Sequence, residues 1–252
     1  MANRMDRLRS FLKDSIRKTV DFSQTEQGLG RPPPPVQKPP RPDARRIRLA
    51  APGRWEGIAP VTVEEAIRRR MSVRQYAAEP LTLDELSFLL WATQGVRRRL
   101  SPAVTLRTVP SAGARHALET YVFALRVTGL DQALHRYLPL DHELVLERAV
   151  TDVEDALAAA TFGQSFVAEA AAVFVWTAVP RRMEWRYGAA AHKVIALDAG
   201  HVAQNLYLAC EAVRAGTCAI AAYDQESLDA LLGVDGREEF AIYLAPVGRR
   251  KA

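Results

Sequence analysis

Four consecutive prolines, Pro32, Pro33, Pro34 and Pro35, with three more at Pro39, Pro40 and Pro42, leave no room for a helix or a central strand between Arg31 and Pro42. Each proline lacks a backbone donor and has a fixed φ, so the run favours an extended polyproline conformation. The chain is thereby divided into an arm, residues 1–54, and one folded body, residues 55–252. Within the arm, Leu8 to Val20 reads as a short basic amphipathic helix with Leu8, Phe11, Leu12 and Ile16 as its apolar positions. Two roles are open to such an arm: a strap laid over the body, or a docking segment for an anionic surface or a proline-binding partner.

Charge follows the same division. Residues 1–54 hold 13 of the 34 Lys/Arg and 5 of the 29 Asp/Glu, which makes the arm strongly basic and the body slightly acidic. Nucleic-acid binding would have to rest on the arm alone, so no nucleic-acid partner is expected. The region from Met1 to Val20 lacks the apolar core of a signal peptide, and no stretch is apolar for long enough to span a bilayer. Cys210 and Cys218 fit neither a CxxC nor a Cys/His metal spacing. They read as reduced core thiols, which points to the cytoplasm. His116, His135, His142, His192 and His201 show no ligand spacing, so no metal is expected, and no Gly-x-Ser-x-Gly elbow is present.

The body opens with two capping boxes, Thr62-Val63-Glu64-Glu65 and Thr82-Leu83-Asp84-Glu85, which predict helices near 63–71 and 83–94. Glu119 to Leu125, Ala172 to Ala178 and Glu239 to Val247 are rich in β-branched and aromatic residues and read as buried strands. Lys193 to Arg214 predicts a long core helix with Val194, Leu197, Val202, Leu206, Ala209 and Val213 on one side, ended by Gly216. His201, Gln204 and Asn205 on it are either ligand contacts or satisfied polar residues.

Two short signatures stand out. Arg70-Met71-Ser72-Val73-Arg74 closes the first helix with two arginines flanking a serine, a set suited to a phosphate through bidentate guanidinium geometry. Pro110-Ser111-Ala112-Gly113, ahead of the first core strand, is a turn that lets backbone approach a flat ligand closely.

Taken with Leu89-Leu90-Trp91-Ala92-Thr93-Gln94-Gly95, Asp198-Ala199-Gly200-His201-Val202-Ala203-Gln204-Asn205-Leu206, Gly216-Thr217-Cys218-Ala219-Ile220-Ala221-Ala222-Tyr223-Asp224 and Ala245-Pro246-Val247-Gly248-Arg249, these signatures form an ordered set. The set resembles the nitroreductase-like flavin oxidoreductases, and within them the SagB/ThcOx-type dehydrogenases, over roughly residues 60–250. The resemblance implies an α+β fold with a small central mixed or antiparallel sheet flanked by helices. It also implies an intertwined homodimer with FMN at the subunit interface. Arg70, Met71 and Ser72 would lie at the phosphate, Arg74 at the pyrimidine edge, and Pro110, Ser111, Ala112 and Gly113 against the flavin of the other subunit. Ile220, Ala221 and Ala222 would bring backbone amides near flavin N5 and O4, with Arg249 as a second phosphate ligand.

In azoline-oxidising relatives, the position of Arg186-Tyr187 carries a Lys-Tyr pair used in substrate oxidation. Forming the aromatic ring from an azoline requires loss of a proton and transfer of a hydride to the flavin, so a base must stand opposite it. Arginine does not deprotonate in ordinary proteins. Tyr187 is therefore the expected acid/base group, with Arg186 favouring its phenolate, while the alternative role for both is a pocket wall. The implied activity is FMN-dependent dehydrogenation of a small or peptide-borne substrate. The alternatives are an NAD(P)H-dependent nitro, quinone or flavin reductase, or a non-redox FMN-binding or scaffold subunit.

Overall fold

The computed structural model describes residues 4–251. The first three residues of the arm and Ala252 lie outside them. Seven strands form the main sheet and are numbered within it: β1 (Arg46–Arg48), β2 (Leu118–Ala124), β3 (Ala133–Leu138), β4 (Glu143–Arg148), β5 (Ala172–Ala178), β6 (Ala215–Thr217) and β7 (Phe240–Arg249). Their order is β1-β4-β3-β2-β5-β7-β6, with every neighbouring pair antiparallel. The sheet is thus larger than the small one expected.

Side chains alternate across its central strands, as a period of two requires. Leu118, Val122, Phe174 and Trp176 face one apolar cluster, and Tyr121, Phe123, Val173 and Val175 face the other. Because both faces are covered, β2 and β5 are buried at every position and read as unbroken apolar runs.

Among the described residues, eight α-helices accompany the sheet: α1 (Arg4–Ser10), α2 (Val63–Arg69), α3 (Leu83–Gln94), α4 (Val153–Ala160), α5 (Ser165–Ala168), α6 (Arg181–Tyr187), α7 (Ala191–Ala212) and α8 (Gln225–Leu232). Both expected capping boxes are formed, with the side chains of Thr62 and Thr82 each accepting the backbone N–H of the glutamate three residues on. On α7 the core stripe is Ile195, Ala199, Val202, Leu206 and Ala209. Leu197 falls off that stripe at 3.6 residues per turn and is 52% exposed, contrary to its expected core place. Gly216 does not end this helix either. It lies in β6 opposite Gly248, where an added Cβ would come within 2.5 Å of Val73 Cγ2. Its missing side chain lets the chain after α2 lie against the sheet.

The arm behaves as a strap. The expected Leu8–Val20 helix gives way to α1, turns, and a separate 3-10 turn at Ser15–Thr19, since Ser10, Asp14 and Ser15 favour local hydrogen bonding over helix continuation. Beyond the prolines, the Val36 carbonyl accepts Arg107 at 2.7 Å, and the Lys38 amide donates to Glu119 at 2.7 Å. The Lys38 ammonium pairs with Glu239 at 2.6 Å. β1 then joins the sheet edge, so the arm contributes a strand to the body it covers.

Glu119 lies at the centre of this junction, paired with Arg182 and with Arg136 at 3.7 Å. Burial pushes the Glu119 carboxyl up, but Arg182 and Arg136 outweigh it and hold the group below the usual carboxylate range.

Candidate functional site

The sequence signatures assemble at two places along α7. At the first, the segment after α2 turns from helix at Arg70 and runs beside β6, with the Val73 amide donating to the Thr217 carbonyl at 2.9 Å. The Tyr76 hydroxyl reaches back to the Val73 carbonyl at 2.7 Å and holds the turn. Arg70 stacks on the ring of Tyr207, 5.7 Å to the centroid, and Ser72 Oγ is 3.1 Å from the Tyr207 hydroxyl. That hydroxyl also accepts the Ala219 amide at 2.9 Å. Arg74 lies over Phe166 of α5 at 6.0 Å. Neither Arg70 nor Arg74 has a carboxylate partner among the described residues, whereas Arg69, Arg136, Arg182, Arg249 and Arg250 each do. Met71 is exposed beside them.

The loop after β6 completes this end. Ile220 is buried and bridges to Leu244 of β7, which fixes the backbone of Ala221 and Ala222 at the surface. The Ala222 carbonyl accepts Gln164 at 3.0 Å, while the amides of Ala221 and Ala222 have no partner among the described residues. Two unneutralised guanidiniums, a hydroxyl pair and bare amides make a surface that favours an anionic, hydrogen-bond-accepting ligand.

Arg249 is not part of that surface. Its guanidinium pairs with Glu85 at 2.7 Å and Glu79 at 3.4 Å, and donates to the Val213 carbonyl. The α3 capping box positions this partner, because the Glu85 Oε2 that accepts the Thr82 amide also accepts Arg249.

The second place is nine residues earlier on α7, about 13.5 Å along the helix at 1.5 Å per residue. Here Asp198 receives the Ser111 side chain and, at 3.4 Å, the Ala112 amide. Burial raises the Asp198 pKa, and its Oδ2 is buried without a partner. The turn it supports is strained. Gly113, Ala114 and His116 have φ of 59°, 53° and 47°, values rare outside glycine, with right-handed Arg115 between the last two. His116 is locked by its amide to Ser111 Oγ at 2.9 Å and its ring to the Thr105 carbonyl at 3.0 Å. Pro110 is exposed at the start of the turn.

The turn closes onto Arg186 and Tyr187 of the same chain. A Cβ at Gly113 would stand 2.7 Å from the Tyr187 hydroxyl and 2.8 Å from Arg186 Nε, so any other residue there would be strained and would displace one of those side chains. Arg186 stacks on the Tyr187 ring at 5.5 Å. The Tyr187 hydroxyl has no hydrogen-bond partner among the described residues. The structure thus brings the Gly113 turn against Arg186 and Tyr187, a pairing the sequence did not suggest.

The neighbouring polar residues of α7 divide. Asn205 donates to the Ala92 carbonyl at the end of α3 and is a satisfied structural residue. His201 and Gln204 are exposed. Among the described residues, no group of three or more His, Cys, Asp or Glu is placed to hold a metal ion, and no helix is long and apolar enough to cross a membrane. Cys210 and Cys218 are free and buried. Tyr207, Phe166 and Asp198 were missed as site residues. Tyr207 sits between leucines on an apolar helix, where pattern alone assigns it to the core.

The model of the nitroreductase family matches residues 67–249, from the end of α2 to the end of β7. The chain belongs to the nitroreductase family. A Methanocaldococcus jannaschii protein named as a nitroreductase is 34% identical over 193 residues, covering 77% of this chain and 93% of its own. A crystal structure named as a nitroreductase, from Ralstonia eutropha JMP134, superposes with a TM-score of 0.68 at 28% identity, covering 88% of this chain and 99% of that one. An NADPH:FMN oxidoreductase from Vibrio harveyi, complexed with NAD+, shares the fold at a TM-score of 0.52 and 18% identity, over 75% of this chain and 69% of its own. The family match begins within α2, so the proline strap and β1 lie outside it.

Proposed function

We propose that this nitroreductase-family protein is an FMN-dependent oxidoreductase, acting as a homodimeric dehydrogenase of a small or peptide-borne substrate. The observation that carries the reading is the pair of unneutralised guanidiniums, Arg70 and Arg74, beside the hydroxyls of Ser72 and Tyr207 and the bare amides of Ala221 and Ala222. When bound there, FMN would supply two-electron redox chemistry.

The chain's own residues divide the remaining work. Arg70, Ser72 and Tyr207 hold the phosphate, with Met71 at their flank, and Arg74 places a fixed positive charge where the reduced ring carries negative charge. The amides of Ala221 and Ala222 donate to the ring edge. Pro110, Ser111, Ala112 and Gly113 present a close-approach turn to the ring bound by the second copy. Tyr187, its hydroxyl free and fixed by the Gly113 turn, takes or gives the substrate proton, with Arg186 adjacent.

A second copy is supported by the surface of α2 and α7. Val63, Ile67 and Met71 are 72%, 57% and 57% exposed at four-residue spacing, an apolar stripe that ends at the phosphate signature. Leu197 of α7 is likewise exposed, at 52%.

A second reading, reduction of nitro or quinone groups driven by NAD(P)H, is favoured by the name of the Methanocaldococcus relative. The deciding experiment records the visible spectrum of the purified protein and then adds NADPH or NADH without oxygen. Yellow protein that ignores both and is bleached by a reducing substrate supports the dehydrogenase. Bleaching by a nicotinamide supports the reductase, and colourless protein that cannot be loaded with FMN removes both.

A further inference from the structure

The three arginines of α6 differ in how their charge is met. Arg181 pairs with Glu26 at 3.8 Å, and Arg182 pairs with Glu119. Arg186 has no acceptor among the described residues and only stacks on Tyr187. Close to it is a second incompletely satisfied guanidinium. Arg115 is buried, stacks on Trp185 at 5.0 Å, and donates to the Ala103 carbonyl at 2.8 Å. Its Nε is buried with no partner. Burial lowers the Arg115 pKa, and the nearby charge of Arg186 lowers it further.

Two like charges held close together, one of them out of water, repel each other and gain from any anion that reaches them. Nearby carboxylates do not fill that role. Glu184 bonds His192 at 2.8 Å, and Glu26 serves Arg31 and Arg181. The guanidinium fork of Arg186 is half-exposed and therefore reachable, and its planar geometry matches a carboxylate or phosphate through two parallel hydrogen bonds. The free Tyr187 hydroxyl lies beside it, against the Gly113 turn.

We propose that Arg186, backed by Arg115, binds an anionic group, carboxylate or phosphate, carried by the substrate that reacts beside Tyr187. The proposal rests on the reading of Tyr187 as the group facing the substrate. It goes beyond that reading in specifying the substrate's charge. Neutral molecules of the same shape are then poor ligands, and a lysine at this position would supply the charge without the fork.

Calorimetric titration of the purified full chain with benzoate and with benzamide, near-isosteres that differ in charge, tests this directly. Benzoate is expected to bind about tenfold tighter, the scale of a charge-assisted hydrogen bond. Arg186→Gln should reduce that preference to within about twofold, and Arg186→Met, which keeps the aliphatic stem over Tyr187, should do the same if the glutamine variant fails to fold. Phenyl phosphate in parallel separates the two anion sources, since the tighter of it and benzoate identifies the group recognised. Equal affinity for benzoate and benzamide, no benzoate binding, or full preference in a folded neutral variant would overturn the proposal. Colour reports separately. A yellow protein without the preference removes this inference alone, and a colourless protein with it removes the flavin reading alone.

Discussion

Ser72 and Tyr207 lie hydroxyl to hydroxyl at 3.1 Å, one on the segment after α2 and the other on the central helix. The contact ties the phosphate signature to the core, because Tyr207 is held in turn by the Ala219 amide at 2.9 Å. Tyr207→Phe keeps the ring under Arg70 and removes the hydroxyl's contacts with Ser72 and with the Ala219 amide. FMN affinity is expected to fall by about 1 kcal/mol, the net worth of a neutral hydrogen bond, and in Arg70→Ala by about 1.5–3 kcal/mol. Quenching of FMN fluorescence on titration measures both, and unchanged affinity in Arg70→Ala would place the phosphate elsewhere.

Tyr187→Phe separates proton transfer from shape. The ring and its stack with Arg186 remain, so FMN loading should be normal. Flavin reduction by the true substrate should slow by about 100-fold or more, the scale of a general acid or base. Stopped-flow absorbance decides, and an undiminished rate would make Tyr187 a pocket wall.

Gly113→Ala should be costly through the Tyr187 and Arg186 side chains that the turn approaches. The residue has φ of 59°, and the new methyl would stand 2.7 Å from the Tyr187 hydroxyl. Left-handed strain alone costs about 1–2 kcal/mol, and Tyr187 must shift as well. The expected result is a lower melting temperature together with lost turnover and retained FMN. A variant with normal turnover would show that the turn does not position Tyr187.

Acid stability follows from buried neutral histidines. Burial holds the pKa of His116 down to about 3 and that of His135 down to about 4. The folded state therefore refuses protons that the unfolded chain accepts below about 6.5. Stability is complete above that pH and declines towards 4 and then 3. Between pH 7.5 and 5.0 the two together should remove about 2–4 kcal/mol. Below about 4.5 Glu119 joins them in the same direction, since its carboxyl is held below the usual range by Arg182 and Arg136. Urea midpoints across this range test the claim, and a flat profile above pH 5 would contradict it.

Removing residues 1–30 should divide the two halves of the site. The Gln27 amide donates to the Trp185 carbonyl at 2.9 Å, and Val20 and Thr25 pack near Gly188 at the end of α6. FMN content should persist because Arg70 to Arg74 do not touch the arm, whereas Tyr187-dependent turnover should fall. Loss of bound FMN on truncation would show that the arm supports the phosphate end.

How much could be read from the sequence depended on the range of the interaction. Thr62 with Glu65 and Thr82 with Glu85 are local, and both helices begin where those pairs place them. β3 escaped notice because His135 and Arg136 interrupt its apolar pattern. Both are buried, and Arg136 is satisfied by Glu119 and Glu147, 17 and 11 residues away along the chain. Arg249 was read as a phosphate ligand for the same reason in reverse, since its partner Glu85 is 164 residues distant. The Arg70–Arg74 and Pro110–Gly113 segments stand out in the sequence, but the pairing of Gly113 with Tyr187 depends on the fold.

The sheet edges give the Arg70–Tyr76 segment a second duty. The outer strand at one edge is only three residues long and places Arg46 and Arg48 in solvent, charges that discourage pairing with another chain. The opposite edge carries no such guard. It is closed by the Val73 amide on the Thr217 carbonyl and the Ala77 amide on the Arg249 carbonyl, each at 2.9 Å. The stretch that carries Arg70 and Arg74 is thus also the shield over a row of backbone donors and acceptors. Any change that peels it away trades a weakened ligand for a sticky β-edge, so damage to the binding signature should announce itself as aggregation as readily as lost activity.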